Sequence, residues 1–248
     1  MKDKASQPSS HRPRVVCHMT TSVDGRIVVD GWPASVPQAV RRHYEEIHER
    51  YNAEGWICGR VTMEEFAGDK RERAGVDGEY RGNPRSDFVA PGQHESFAFA
   101  LDPSGRLAWS SNQIAGDHVV AILSERVSDE YLSFLRERGA SYLLAGAQDI
   151  DLKLALEKIG SRFGVKTLLL EGGGGINGSL LHAGLIDELS LLIAPVADGR
   201  TGTSALFDIE RVGAKPHSLK LEHVERLADG FVWLRYHIDG HNAPATKD

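Results

Sequence analysis

Short β-rich apolar runs alternate with amphipathic stretches along this chain, and that alternation is its main structural signal. Arg14–Thr21, centred on Val15-Val16-Cys17, reads as a strand, with Ser22-Val23-Asp24-Gly25 as the turn after it. A helix follows from Ser35 to about Tyr51. Its start fits a Ser35-x-x-Gln38 capping box with Pro37 in the first turn, where a missing N–H costs nothing. Gly55–Cys58 is a short buried strand ending in Gly59-Arg60-Val61-Thr62, which opens a short helix around Met63–Phe66. Residues 67–95 hold mixed charges and several glycines with no sustained period, so they read as a long loop, either a lid or a solvated insertion. Strands are then predicted at Ser96–Leu101, His118–Leu123, Ser141–Ala145 and Thr167–Leu170. Helices at about Asp129–Arg138 and Leu152–Phe163 are interposed, with Ser128 and Asp151 as N-caps. Strand–helix–strand alternation favours a mostly parallel sheet covered by helices. Glu188–Ala194 and a hairpin of Leu219–Arg226 with Gly230–Ile238 make that sheet mixed.

Composition narrows the class. The 248 residues are 41% hydrophobic and 26% charged, enough apolar material for one α/β domain, read here as residues 14–240. Polar stretches at 1–13 and 241–248 read as frayed tails. With 29 Lys and Arg against 35 Asp and Glu, the net charge of −6 argues against a nucleic-acid binder. No apolar run approaches the ~18 residues of a membrane span. The N-terminal stretch lacks the apolar centre of a signal peptide, so a cytoplasmic protein is the expectation. Cys17 and Cys58 both fall in apolar strands and read as buried free thiols.

Candidate chemistry centres on Thr167–Leu181, where a buried strand runs through Glu171 into four glycines and then a helix. Glycines let a ligand approach the backbone, and a helix start offers free N–H groups and a positive dipole end, a combination that suits phosphate. Gly173, Gly175 and Gly178 fit the G-x-G-x-x-G spacing, although a tight strand-to-helix turn without a ligand uses the same residues. A Rossmann dehydrogenase fits poorly, because the strand that follows ends before Pro195 with only Asp198 as a nearby acid. Gly59-Arg60-Val61-Thr62 is a second such turn. Arg60 and Thr62 there face a choice between ligand contact and a Thr62-x-x-Glu65 capping box. Ser104 and Arg106, in the turn after Leu101, are candidates for a ribose 2′-phosphate or simply turn residues. Zinc-deaminase, His-Glu-x-x-His and Gly-x-Ser-x-Gly patterns are absent from the sequence, and His43 and His48 lie about 140° apart on their helix, too far round to share a metal. Cys17 and His18 point to opposite faces of a strand and make no nucleophile pair.

Taken together, His18-Met19-Thr20-Thr21-Ser22-Val23-Asp24-Gly25-Arg26-Ile27, Gly59-Arg60-Val61-Thr62 and the stretch from Leu168 to Gly199 resemble the signatures of the riboflavin-biosynthesis reductase domain family. The resemblance implies a three-layer α/β fold like dihydrofolate reductase, with a mixed, mostly parallel central sheet. It also implies NADPH as cofactor, a homodimer, and hydride transfer to a ribosylamino-pyrimidine phosphate. By the same likeness, Gly173, Gly174, Gly175, Ile176, Asn177, Gly178 and Ser179 hold the NADPH diphosphate. Thr20 and Thr62, with Gly59 and Arg60 beside it, are cofactor contacts. Glu171 and Arg50 are substrate contacts. Asp24 and Glu171 are the candidate carboxylates beside the reacting carbon, for proton supply or for binding sugar hydroxyls, with turn-making in Asp24-Gly25 as the alternative for the first. The chain departs from biosynthetic members at His18, where Lys is frequent, and after Thr62, where Met63–Phe66 and the charged loop replace an Asp-x-Pro segment. Those departures leave open a reductase of another pterin-like or carbonyl compound such as dihydrofolate, and a non-catalytic NADPH-binding protein.

Overall fold

The computed structural model describes residues 12–68, 85–209 and 216–238. Strands β1 (Arg14–Thr21), β2 (Gly55–Gly59), β3 (Phe97–Leu101), β4 (Gln113–Ile114), β5 (Asp117–Leu123), β6 (Ser141–Leu144), β7 (Thr167–Leu170), β8 (Glu188–Ile193), β9 (Leu219–Arg226) and β10 (Val232–Ile238) form one sheet. Its order is β4-β5-β3-β2-β7-β1-β8-β10-β9, with β6 pairing along the rest of β5. The seven strands β1, β2, β3, β5, β6, β7 and β8 pair in parallel. The β9–β10 hairpin, and β4 at the other end, are antiparallel.

Helices α1 (Val36–Tyr51), α2 (Arg60–Met63), α3 (Asp129–Arg138), α4 (Leu152–Phe163) and α5 (Gly174–His182) cover both faces. Strand alternation sorts the core. Val15, Cys17 and Met19 of β1 pack with Leu156 and Ile159 of α4 and Ile176 and Leu180 of α5. Val16 packs on the opposite side with Leu132 and Leu135 of α3, while α1 lies over Leu192 and Trp233 on that side. Each fully buried aliphatic side chain contributes about 1.5–3 kcal/mol, so the three clusters give the domain its cohesion.

Most predicted elements stand within two residues of their expected bounds, and Ser128 and Asp151 cap α3 and α4 by accepting from Tyr131 N and Leu154 N. Two caps fail. Ser35 has helical dihedrals and makes no side-chain cap bond, since the chain is already turning at Pro33, whose carbonyl accepts from Val36 N. Thr62 lies inside α2 rather than before it, because the helix begins directly where β2 ends, with Gly59 as N-cap. The two-residue β4 has no sequence signal long enough to read.

Of the expected N-terminal tail, 12 and 13 are among the described residues. The Arg12 guanidinium makes a two-pronged bond to Asp187 at 2.7 and 2.8 Å, while residues 1–11 lie outside the described residues, as do 239–248. Of the expected loop at 67–95, residues 69–84 also lie outside them. Its final part belongs to the body of the domain: Phe88 bridges Tyr142, and Asp87 accepts from Leu144 N and Lys158 Nζ. Among the described residues, no helix is long and apolar enough to cross a membrane.

Candidate active site

Parallel strands present their carboxyl ends on one edge of the sheet, and ligands of open α/β sheets bind there, where strand order reverses. In this fold β1, β2, β3 and β7 end together, and α2 and α5 both start at that edge. Gly59 N donates to Gly172 O at 2.8 Å and Glu171 N to Ile57 O at 3.0 Å, which lashes the two glycine turns together.

A cavity of about 570 Å³ opens over this junction, lined by Met19, Glu65, Glu171, Ser204 and residues of both turns. A second, of about 400 Å³, runs toward Pro103, Leu152 and His182. Gly59, Arg60, Gly175 and Ile176 line both, so the two form one groove along the start of α5. Thr62, Gly173 and Gly174 line the larger part and Ser179 the smaller.

The glycines of the turn do different work. A Cβ on Gly174 would sit 2.3 Å from Ala205 O, and one on Gly178 would sit 2.6 Å from Asp208 O. Both are glycine because residues 204–209 pack onto α5. Asn177 belongs to the same contact: it is fully buried, and its Nδ2 donates to Leu206 O at 3.0 Å. Gly175 has nothing within 4 Å of the Cβ position, and a Cβ on Gly173 would stand 3.7 Å from Thr62 Oγ1. Those two positions are a cradle that a side chain would fill. With the positive end of α5 beside it, the cradle fits the diphosphate of a dinucleotide.

Glu171 brings a carboxylate to the larger cavity, where its Oε1 lies 2.8 Å from His48 Nδ1. His48 projects from the last turn of α1. This contact pushes the imidazole pKa up, chiefly through the hydrogen bond, against the opposing effect of burial. The Tyr44 hydroxyl donates to His18 O at 3.0 Å, and its pKa is raised, by burial first and then by the charge of Glu171. His48 was missed by sequence reasoning. The signal that could have found it is Tyr44, His48 and Tyr51 at i, i+4 and i+7, on one helix face.

Other expected residues lie elsewhere. Asp24 is not at the cavity. One carboxylate oxygen accepts from Ser22 Oγ and Asp198 N and the other from Gly199 N, so it pins the turn of residues 198–199. These bonds hold its pKa down at about 2. The pinning is therefore complete above the ordinary value of 3.8 and is lost as pH falls through about 2. In Asp24→Ala the amides of Asp198 and Gly199 should exchange hydrogen faster at neutral pH. In an NMR titration of the wild type the same amides should move only toward the acid end.

Arg50 points away from the groove, pairing with Glu225 at 3.1 Å and lying 5.2 Å over the Trp233 ring. Ser104 and Arg106 are exposed and line neither part of the groove. Their turn is set by buried Asp102, which accepts from Arg106 N and Leu107 N. Thr20 is buried on β1 with no partner for Oγ1, and it too stands off the cavity lining. His18, where the family often has Lys, is fully buried between Ser190 Oγ and Tyr44 O and stacks on the Tyr44 ring at 4.1 Å. Burial lowers its pKa, so it is a neutral packing residue under α1.

A mixed sheet in three layers, with a glycine-walled groove at its parallel carboxyl edge, defines a dihydrofolate reductase-like α/β protein. A pyrimidine reductase-like protein of Corynebacterium diphtheriae superposes with a TM-score of 0.67 at 18% identity, covering 94% of this chain and 96% of that one. RibD of Acinetobacter baumannii gives 0.64 at 20% identity, over 93% of this chain and 59% of that one. The RibD C-terminal domain model matches residues 13–233, and the chain belongs to that family. The curated relatives include the 2,5-diamino-6-ribosylamino-4(3H)-pyrimidinone 5′-phosphate reductases of Methanothermobacter thermautotrophicus and Archaeoglobus fulgidus. The first is 36% identical over 40% of this chain and 45% of that protein, the second 30% over 37% and 40%. The aligned region thus spans less than half the length of either relative.

Proposed function

We propose that this protein is an NADPH-dependent reductase that delivers hydride to the ribosylamino carbon of a pyrimidinone 5′-phosphate. The observation that carries the reading is the placement of Glu171 at one wall of a cavity whose other wall is the glycine turn at the start of α5. Bound there, a reduced nicotinamide supplies the hydride. Gly173, Gly175, Thr62, Arg60 and Ser179 are the residues that would hold the dinucleotide along the groove. The protein contributes position and a proton: the carbon must face the nicotinamide, and the nitrogen beside it must be protonated as the C=N bond is reduced. Glu171 is the group of the groove suited to that nitrogen or to the sugar hydroxyls. The relatives' substrate supports the choice, as does a groove long enough to divide into two parts.

Titration with NADPH and NADH, followed by NADPH oxidation with the ribosylamino-pyrimidinone phosphate and with dihydrofolate in parallel, tests the reading. NADPH binding with turnover of the pyrimidinone is expected. Turnover of dihydrofolate alone would move the substrate, tight binding without any turnover would indicate a binding protein, and no binding at millimolar cofactor would end the reading. A homodimer in the cytoplasm accompanies this proposal. Sedimentation should give twice the 27.2 kDa chain mass, and a purely monomeric species would count against the dimer.

A further inference from the structure

We propose that His48 is a positioning residue that holds Glu171 by one oxygen and passes it protons from solvent during the reduction; this rests on the reductase reading above. Glu171 lines the cavity with its side chain 14% exposed, while His48, bonded to it at 2.8 Å, is 36% exposed. The pair therefore bridges from the cavity wall to water through two side chains. A carboxylate has about four lone-pair sites, so a bond at Oε1 leaves Oε2 for a ligand. Among the described residues, His48 is the one cation-forming group within ion-pair distance of Glu171.

The surroundings favour a charged imidazole. His48 stands in the last turn of α1, where the helix dipole stabilises a cation. Glu49 on α1 and Asp117 at the start of β5 act in the same direction through space. His18 on β1 is buried and neutral, with its pKa lowered mainly by desolvation. Tyr44 on α1 and Cys58 on β2 have their pKa values pushed well up, chiefly by burial, and stay uncharged near neutrality. Glu65, just past α2, is the remaining nearby carboxylate. The direction for His48 is upward, with Glu171 as the leading cause.

The chemistry balances without a further reactant. C1′ of the ring-opened imine accepts hydride from the nicotinamide, and the C=N π electrons pass to nitrogen, which takes one proton. That proton leaves Nδ1 of the His48 imidazolium, passes through the Glu171 carboxylate, which ends the step as a carboxylate again, and is replaced on His48 from water. Because the imidazolium is fully present below the ordinary value of 6.5 and is lost as pH rises through the raised value, kcat/KM should decline on the alkaline side as His48 deprotonates.

Two measurements decide the proposal. The His48 ring resonances of the cofactor-free protein should titrate above the ordinary imidazole range in the wild type and return to that range in Glu171→Gln. His48→Gln keeps an N–H donor for Glu171 but cannot titrate, so it should lower kcat/KM about 10-fold near pH 6 and lose the alkaline decline. A merely structural role would leave that profile where it was. Ordinary titration of His48 in the wild type, or an unchanged pH profile in a folded His48→Gln, would overturn the proposal. A wild type that fails to turn over the pyrimidinone would sink the reductase reading, while the NMR titration would still decide whether the pair exists.

Discussion

Glu171→Gln should lower kcat for the ribosylamino-pyrimidinone phosphate by about 10²–10³-fold, within the range found for loss of an acid–base group, and change the NADPH dissociation constant by less than about twofold. The substitution preserves shape, so the strand end and the glycine turn should stay in place: Glu171 N still donates to Ile57 O, and Gly59 N to Gly172 O. What disappears is the carboxylate facing His48 and with it the route for a proton through that oxygen pair. A carboxamide can still bond a sugar hydroxyl, so the loss should fall mainly on kcat, with a smaller change in KM. The cofactor cradle is built from Gly173, Gly175 and Thr62, none of which depends on the carboxylate for its position. Stopped-flow hydride transfer and cofactor fluorescence separate the two effects. A kcat within threefold of wild type would remove Glu171 from the chemistry. A large rise in the NADPH dissociation constant would instead make it a cofactor contact.

The frame of the domain was legible because its signals are local. The Val15-Val16-Cys17 run, the 3.6-residue period of α4 and the caps Ser128 and Asp151 act within a few positions, and the structure keeps them. The strand–glycine–helix turns were legible for the same reason. The site beyond them was not, because it is made by distant pairings. Glu171 and His48 are 123 residues apart, and nothing in either neighbourhood names the other. Residues 204–209 carry no period, yet they decide which glycines are packing residues, and Ser204 becomes a wall of the cavity. Asp24 sat in a suggestive motif and Arg50 entered by family likeness, but each found a nearer partner: two turn amides for Asp24, Glu225 and Trp233 for Arg50. A motif specifies a residue type at a position. Which face the side chain takes depends on competing partners that only the tertiary fold supplies.

Adjacent glycines in α5 should respond in opposite ways to the same added methyl group. At Gly174 a Cβ would stand 2.3 Å from Ala205 O and 3.0 Å from Asp208 Oδ2, so Gly174→Ala forces residues 204–209 off the helix. The bond from Asp208 N to Gly174 O and that from Asn177 Nδ2 to Leu206 O would both be strained or lost. Overpacking of this kind costs about 1–3 kcal/mol, or roughly 2–10 °C in melting temperature for a domain of this size. NADPH affinity should fall with it, because Ser204 would no longer close the larger cavity. At Gly175 the methyl group meets nothing within 4 Å. Replacing a helical glycine by alanine there should stabilise the fold by about 0.4–1 kcal/mol through the unfolded chain. Yet Gly175 lines both halves of the groove, so the added Cβ would occupy the surface the dinucleotide must approach, and the NADPH dissociation constant should rise at least about 10-fold, equivalent to roughly 1.4 kcal/mol. A folded Gly175→Ala that melts higher and binds NADPH as tightly as the wild type would show that this turn is only a strand-to-helix connection, and the assignment of the groove to a dinucleotide would fall with it.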